Sequence, residues 1–101
     1  MTPLKSDQMQ ELAEIFRLLG DPTRLAIVMA VGEGSRPVGV VAEKLGFSPS
    51  LVSHHLRLLK AARLVRAVRQ GKQVFYALAD DHVHDVIRDM AAHVIEPHTE
   101  E

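Results

Sequence analysis

The strongest constraint on the fold of this 101-residue chain is a pair of helical segments joined by a tight turn. The first segment covers about residues 38–45 and is followed by Gly46, a residue that readily takes the left-handed conformation at a helix end. Ser48 and Pro49 then match the N-cap and first position of another helix, which extends to about Ala62. Two helices joined by such a short turn form a helix-turn-helix.

Two more helices are predicted before this motif. Asp7 and Gln10 have capping-box spacing, and apolar residues at helical spacing follow them, which predicts a helix over about residues 7–19. Asp21 is placed to cap the next helix, with Pro22 at its first position, where a missing N–H has no cost. The apolar run that follows predicts that this helix is largely buried.

A hairpin and a fifth helix are predicted after the motif. Residues 64–68 and 74–78 are rich in β-forming side chains, and the stretch 69–72 between them contains a glycine suited to a turn. Acidic residues then begin a helix over about residues 81–96, which Pro97 ends. We therefore expect one mainly α domain over residues 1–101, a winged helix-turn-helix whose wing is the β-hairpin.

Composition excludes several classes of protein. The chain has no cysteine, which removes disulfides, thiolate metal sites and thiol nucleophiles. It has no apolar run long enough for a membrane span and no signal-peptide pattern, so we expect a cytoplasmic protein. It also lacks a nucleophile turn and a glycine-rich phosphate loop, and an enzyme is not expected. A domain this small often enlarges its core by dimerising.

Basic and acidic residues are segregated along the chain, although the 12 basic residues nearly balance the 13 acidic ones in number. Residues 45–79 contain no acid and six cations, namely Arg57, Lys60, Arg63, Arg66, Arg69 and Lys72. Residues 80–101 contain seven acids and a single permanent cation, Arg88. A basic centre of this kind indicates contact with nucleic-acid phosphates.

The predicted fourth helix carries a polar stripe at helical spacing, consisting of Ser50, Ser53, His54 and Arg57. Such side chains can enter the major groove and read base edges, while the hairpin cations Arg66, Arg69 and Lys72, expected on or beside the turn, contact phosphates. The alternatives are a solvated helix face and a loop whose charge keeps a sheet edge soluble. His55 falls on the inward side and is interpreted as a hydrogen-bonded structural histidine.

Three segments carry a resemblance to a known family: residues 19–27 (LGDPTRLAI), residues 53–65 (SHHLRLLKAARLV) and residues 69–78 (RQGKQVFYAL). They resemble the ArsR/SmtB metalloregulators over nearly the whole chain. The resemblance implies a homodimeric winged-helix repressor that binds an inverted repeat in double-stranded DNA. Arg63 departs from it, because the family usually has a glycine there to end the recognition helix in a left-handed cap.

The last helix combines histidines with acids, and His82 and His93 share one of its faces. They lie eleven residues apart, about 16 Å along a helix axis, so one ion cannot join them within a chain. In a symmetric dimer whose terminal helices form the interface, Asp80 and His82 of one subunit meet His93 and Glu96 of the other. These four residues resemble the fifth-helix metal site of the SmtB branch.

Nitrogen and oxygen ligands suit Zn(II) first and Ni(II) or Co(II) next. The predicted function is a repressor that releases its operator when the metal binds. Two alternatives remain at this point: a Ni(II) or Co(II) sensor of the same fold, and a winged-helix regulator that no metal controls, with the acids acting as helix caps and solubilising charges. The sequence leaves open whether His84, Asp85, Asp89 or His98 joins the site.

Overall fold

The computed structural model describes residues 1–97, which form five helices and a small sheet. In chain order the elements are α1 (Ser6–Leu19), α2 (Pro22–Gly32), β1 (Arg36–Pro37), α3 (Val38–Leu45), α4 (Pro49–Ala61), β2 (Val65–Gln70), β3 (Gln73–Leu78) and α5 (Asp81–Ile95). Helices α3 and α4 form the predicted helix-turn-helix, and β2 and β3 form the predicted wing. The winged helix-turn-helix prediction is confirmed.

The helix caps follow the predicted chemistry in the centre of the chain. The Asp21 carboxylate accepts a 2.9 Å hydrogen bond from the Arg24 N–H, and the Ser48 hydroxyl oxygen accepts one of 3.1 Å from the Leu51 N–H. Gly46 ends α3 with a φ of 73°. Each side-chain cap contributes about 1 kcal/mol to helix stability, so these residues fix where α2 and α4 begin.

The start of α1 differs from its prediction. The helix begins at Ser6, and the residue whose side chain reaches back is Gln8, which accepts a 2.9 Å hydrogen bond from the Lys5 N–H. The predicted Asp7 and Gln10 capping box is therefore wrong. Asp7 lies inside the first turn instead, where its negative carboxylate interacts favourably with the positive end of the helix dipole.

The sheet has three strands, in the order β1-β3-β2, where the sequence predicted only a hairpin. Strand β1 pairs antiparallel with β3, with Arg36 opposite Tyr76. Two residues are too few to show the alternation by which a strand is predicted. The hairpin turn is also tighter than expected, because Gln70 pairs with Gln73 and only Gly71, at φ 63°, and Lys72 lie between them.

The core lies between α2, α3, α4 and the sheet. Its fully buried side chains are Ile27, Val28, Val31, Val41, Val52, Leu56 and Leu59. The terminal helices contribute little to it, since Leu18 is the buried residue of α1 and α5 has none. Both helices therefore present much of their apolar surface to solvent in the isolated chain.

Arg63 occupies a left-handed position at the end of α4, with a φ of 62°. The Leu64 N–H donates to the Leu59 carbonyl at 2.9 Å and the Arg63 N–H to the Lys60 carbonyl at 2.9 Å, which is the Schellman arrangement. The backbone thus keeps the conformation that a glycine usually takes. The Arg63 guanidinium also donates to the Glu11 carboxylate of α1.

Replacing Arg63 with glycine should relieve this backbone strain. We expect Arg63→Gly to be more stable than Arg63→Ala by about 1 kcal/mol, because both variants lose the Glu11 ion pair and only glycine takes a positive φ without a Cβ clash. Urea unfolding of the two variants measures the difference. Equal free energies of unfolding would contradict the assignment of strain to Arg63.

Candidate nucleic-acid interface and metal-ligand helix

Helix α4 separates a buried face from a polar one. Val52, His55, Leu56 and Leu59 are buried, as the sequence predicted for this side of the helix. The predicted reading stripe lies opposite, where Ser50, His54 and Arg57 are exposed and Ser53 is half-buried. The four side chains therefore form one surface that runs from the first turn of α4 toward its middle.

Five of the six central cations form no ion pair within residues 1–97; they are Arg57, Lys60, Arg66, Arg69 and Lys72. Arg63 is the exception, because it pairs with Glu11. The prediction of six uncompensated cations is wrong by this one residue, since its partner lies 52 positions away in the sequence. Lys60, which was not among the predicted site residues, is exposed in the last turn of α4.

The wing cations lie in two places. Lys72 lies in the turn, and Arg69 lies next to it near the end of β2, opposite Val74. Arg66 lies at the base of the strand opposite Ala77, so the prediction that it stands beside the turn is wrong. It lines a cavity of about 240 Å³ together with Asp80 and residues of the α2–β1 connection.

His55 lies beneath the polar face of α4 and retains 9% of its surface. Its Nδ1 is buried and has no hydrogen-bond partner among the described residues, so the prediction of a hydrogen-bonded histidine is wrong for that atom. Burial, and then the positive charge of Arg24, lower the pKa of His55, while Asp21 opposes the shift and His54 adds to it. The environment of His55 therefore favours the neutral imidazole over the protonated one.

Acidification should destabilise the protein through His55. A pKa that is lower in the folded than in the unfolded state means that the unfolded chain binds more protons, so stability is lost as pH falls below about 6.5. We expect His55→Gln to lose less stability between pH 7 and pH 5 than the unsubstituted protein. Urea unfolding across that range measures it, with His54→Gln as the exposed control. Parallel pH profiles for His55→Gln and the unsubstituted protein would contradict this role.

The N-terminus of α5 uses one predicted metal ligand as a cap. The Asp80 Oδ1 atom accepts a 3.0 Å hydrogen bond from the Val83 N–H. Helix capping by these acids is part of the alternative, stated in the sequence analysis, in which no metal controls the protein. One carboxylate carries two oxygens, so the second oxygen of Asp80 remains a possible ligand atom.

The other predicted ligands are distributed along α5. His82 lines an apolar cavity of about 190 Å³ between α1 and α5, whereas His93 lies in the last turn and Glu96 at the C-cap. Within residues 1–97, no three histidine or carboxylate side chains of one chain converge on a point where they could hold a metal ion. A site made of these residues therefore needs ligands from two chains.

Four other polar residues of α5 interact with each other, namely His84, Asp85, Arg88 and Asp89. Arg88 lies 3.4 Å from the Asp85 carboxylate and 3.3 Å from that of Asp89. His84 is half-buried, with its Nδ1 3.6 Å from Asp85 Oδ1. His98 lies outside the described residues.

Known proteins with similar sequences are transcriptional regulators, in agreement with the helix-turn-helix of this chain. The family model "Bacterial regulatory protein, arsR family" matches residues 21–67, from the start of α2 into β2. A transcriptional repressor SmtB homolog from Synechocystis is 42% identical over 89% of this chain and 68% of its own length. The chain belongs to the ArsR family. It is therefore a transcriptional regulator and not an enzyme, as predicted.

Solved structures show the same fold. The cadmium metal-sensor CmtR from Mycobacterium tuberculosis is 38% identical, with a TM-score of 0.72 over 88% of this chain and 93% of that one. A homodimeric winged helix-turn-helix domain from Mycobacterium bovis, 23% identical, has a TM-score of 0.84 and covers the whole of both chains. Among the described residues of this ArsR-family chain, no helix is long and apolar enough to cross a membrane.

Proposed function

We propose that this ArsR-family chain is a homodimeric repressor that binds an inverted repeat in double-stranded DNA. Helix α4 enters the major groove with Ser50, Ser53, His54 and Arg57. Arg69 and Lys72 contact phosphates from the wing tip, and Arg66 does so from the wing base. The observation that carries the proposal is the set of exposed cations on α4 and the wing that form no ion pair within residues 1–97, because surface cations without acidic partners suit phosphate contact.

The dimer interface in this proposal is formed by the terminal helices, predicted over about residues 7–19 and 81–96. Their exposed apolar side chains are Met9, Leu12, Phe16, Val86, Met90, Val94 and Ile95. Exposed apolar residues concentrated on two adjacent helices are typical of a protein–protein interface. A two-fold axis brings the same face of a second copy onto them and gives each dimer two recognition helices.

The proposed metal site lies across this interface. Asp80 and His82 of one subunit face His93 and Glu96 of the partner subunit, which gives two equivalent sites of two imidazoles and two carboxylates. This donor set fits a transition metal, with Zn(II) favoured and Ni(II) or Co(II) as alternatives. The absence of cysteine separates it from thiolate sites, and the absence of a converging cluster within residues 1–97 of one chain agrees with ligands shared between chains.

Release of DNA follows from the position of α5 relative to the wing. Strand β3 ends at Leu78, and α5 begins three residues later with Asp80 as its cap. Arg66 of the wing lines the same cavity as Asp80. A shift of α5 when its ligands close on an ion therefore reorients the wings, and the metal-bound dimer binds the operator less tightly.

Two substitutions test the DNA interface, because one should change base preference and the other should change the overall affinity for DNA. Arg57→Ala should relax base preference at one position, since a guanidinium reads guanine edges. Lys72→Ala should weaken binding to all duplexes about equally and make the salt slope shallower by about 2, because the dimer loses one phosphate contact per subunit, from a value near −5 expected for about six phosphate contacts. Fluorescence anisotropy with operator and unrelated duplexes at several salt concentrations measures both effects.

Lys44→Ala is the matched control, because Lys44 is an exposed lysine whose ammonium pairs with Glu33. It should leave DNA affinity and the salt slope unchanged. A salt-insensitive complex, or equal affinity of the unsubstituted protein for unrelated duplexes, would contradict the proposed interface. Uniform weakening by Arg57→Ala would restrict that residue to backbone contact.

A second candidate is a regulator of the same fold that no metal controls. The observation that favours it is the engagement of the α5 acids, since Asp80 caps the helix and Asp85 and Asp89 pair with Arg88. Equilibrium dialysis with zinc separates the two candidates. Two ions bound per dimer support the metal site, whereas no bound zinc supports the second candidate.

A further inference from the structure

Leu51 is an exposed leucine in the first turn of the recognition helix α4. It retains 39% of its surface and stays outside the buried core, although its neighbour Val52 is fully buried. An exposed leucine gains free energy when a ligand brings apolar surface against it. The position of Leu51 on the recognition helix indicates that this ligand is DNA.

The backbone around Leu51 is held rigidly. The Ser48 hydroxyl oxygen accepts from the Leu51 N–H at 3.1 Å, and the Ser48 carbonyl accepts from the Val52 N–H at 3.1 Å. Pro49 restricts the first helical position further. The backbone that carries Leu51 is therefore preorganised, so positioning this residue during binding has a small backbone entropic cost.

Leu51 adjoins the proposed reading stripe. It follows Ser50 directly and lies about 60° from His54 around the helix axis. Helical side chains lean toward the N-terminus of their helix, which is the end that recognition helices insert toward base edges. Leu51 therefore borders the surface proposed to read bases.

Comparison with Leu58 shows that exposure alone does not place a leucine of α4 near the DNA-binding surface. It lies on the same flank, about 20° from Leu51 around the axis, and retains a similar 37% of its surface. It is about 10 Å farther from the N-terminus of α4, however, and lines a cavity with Glu14 and Arg17 of α1. Leu58 therefore lies on the side of α4 that faces α1, whereas Leu51 lies at the N-terminal end of α4.

We propose that Leu51 is a specificity-determining residue that recognises a thymine through its 5-methyl group. Among the four bases, thymine alone presents a methyl group in the major groove, and apolar side chains read it by contact. This inference rests on the proposed function, since it assigns a base to the same DNA-binding surface.

The experiment begins with an operator selected from randomised duplexes by the unsubstituted protein. Each thymine is then replaced by uracil, which removes only the methyl group. We expect one position per half-site at which uracil weakens binding about fourfold, the effect of losing one buried methyl group. Leu51→Ala should bind the thymine operator about 16-fold more weakly, because the dimer loses the contact in both half-sites, and it should be insensitive to uracil there, whereas Leu58→Ala should keep the sensitivity.

The failures of the two proposals are distinguishable. A selection that yields no preferred sequence overturns the proposed function and the role of Leu51 together. A preferred sequence with no methyl-sensitive thymine overturns the role of Leu51 alone, and so does a Leu51→Ala variant that keeps full uracil sensitivity. The uracil scan of the unsubstituted protein requires no variant to fold.

Discussion

Replacing Phe16 with aspartate should convert the protein to a monomer and weaken operator binding at least about a hundredfold. Phe16 retains 58% of its surface and lines the apolar cavity between α1 and α5. A carboxylate buried there by a second subunit would lose its hydration without gaining a partner. The monomer would then offer one recognition helix and half of the phosphate contacts.

Analytical ultracentrifugation and operator anisotropy measure the two parts of this prediction. Val40→Asp is the control for assembly, because Val40 is an exposed apolar residue on α3, away from the terminal helices. It should leave the protein dimeric. A dimeric Phe16→Asp variant with unchanged operator affinity would contradict the interface proposed for α1 and α5.

Saturating zinc should weaken operator binding by about 5- to 150-fold, and His93→Ala should abolish this response. The substitution removes one imidazole from each proposed site, and His93 is exposed, so folding, dimerisation and DNA binding without metal should persist. The coupling must be reciprocal, so operator DNA weakens zinc binding by the same factor. Zinc affinity should also fall below about pH 6.5, because protons compete for the imidazole nitrogens.

Operator anisotropy with and without zinc measures the response. His84→Ala is the matched control, since His84 lies on the same helix beside Asp85 and outside the four proposed ligands. It should keep the full zinc response. An unchanged response in His93→Ala would exclude His93 as a ligand.

The fold was predictable where single residues determine the local backbone. Asp21 and Ser48 accept the hydrogen bonds that their cap positions predict, and Gly46 and Gly71 take the positive φ expected of them. The buried and polar faces of α4 followed from helical periodicity. Arg63 was identified as the departure from the family pattern, and it does take the left-handed conformation.

What the sequence did not reveal depends on contacts between distant elements. The pairing of Arg63 with Glu11 requires α1 to pass the end of α4, and the position of Arg66 at the wing base depends on the strand register. Strand β1 exists because β3 pairs with it. The unpaired Nδ1 of His55 likewise depends on how α2 packs over α4. For the metal site, a single sequence gives ligand types and spacing, but their convergence depends on a second subunit.

Mixing two defective variants tests the central claim most directly. If ligands come from both subunits, His82→Ala and His93→Ala each lose both sites as homodimers. In their heterodimer, however, the intact His82 of one subunit meets the intact His93 of the other. We predict that neither variant alone binds zinc tightly or releases the operator, and that the mixture recovers one zinc ion per heterodimer with partial release. A mixture as inactive as its components would contradict a site shared between subunits.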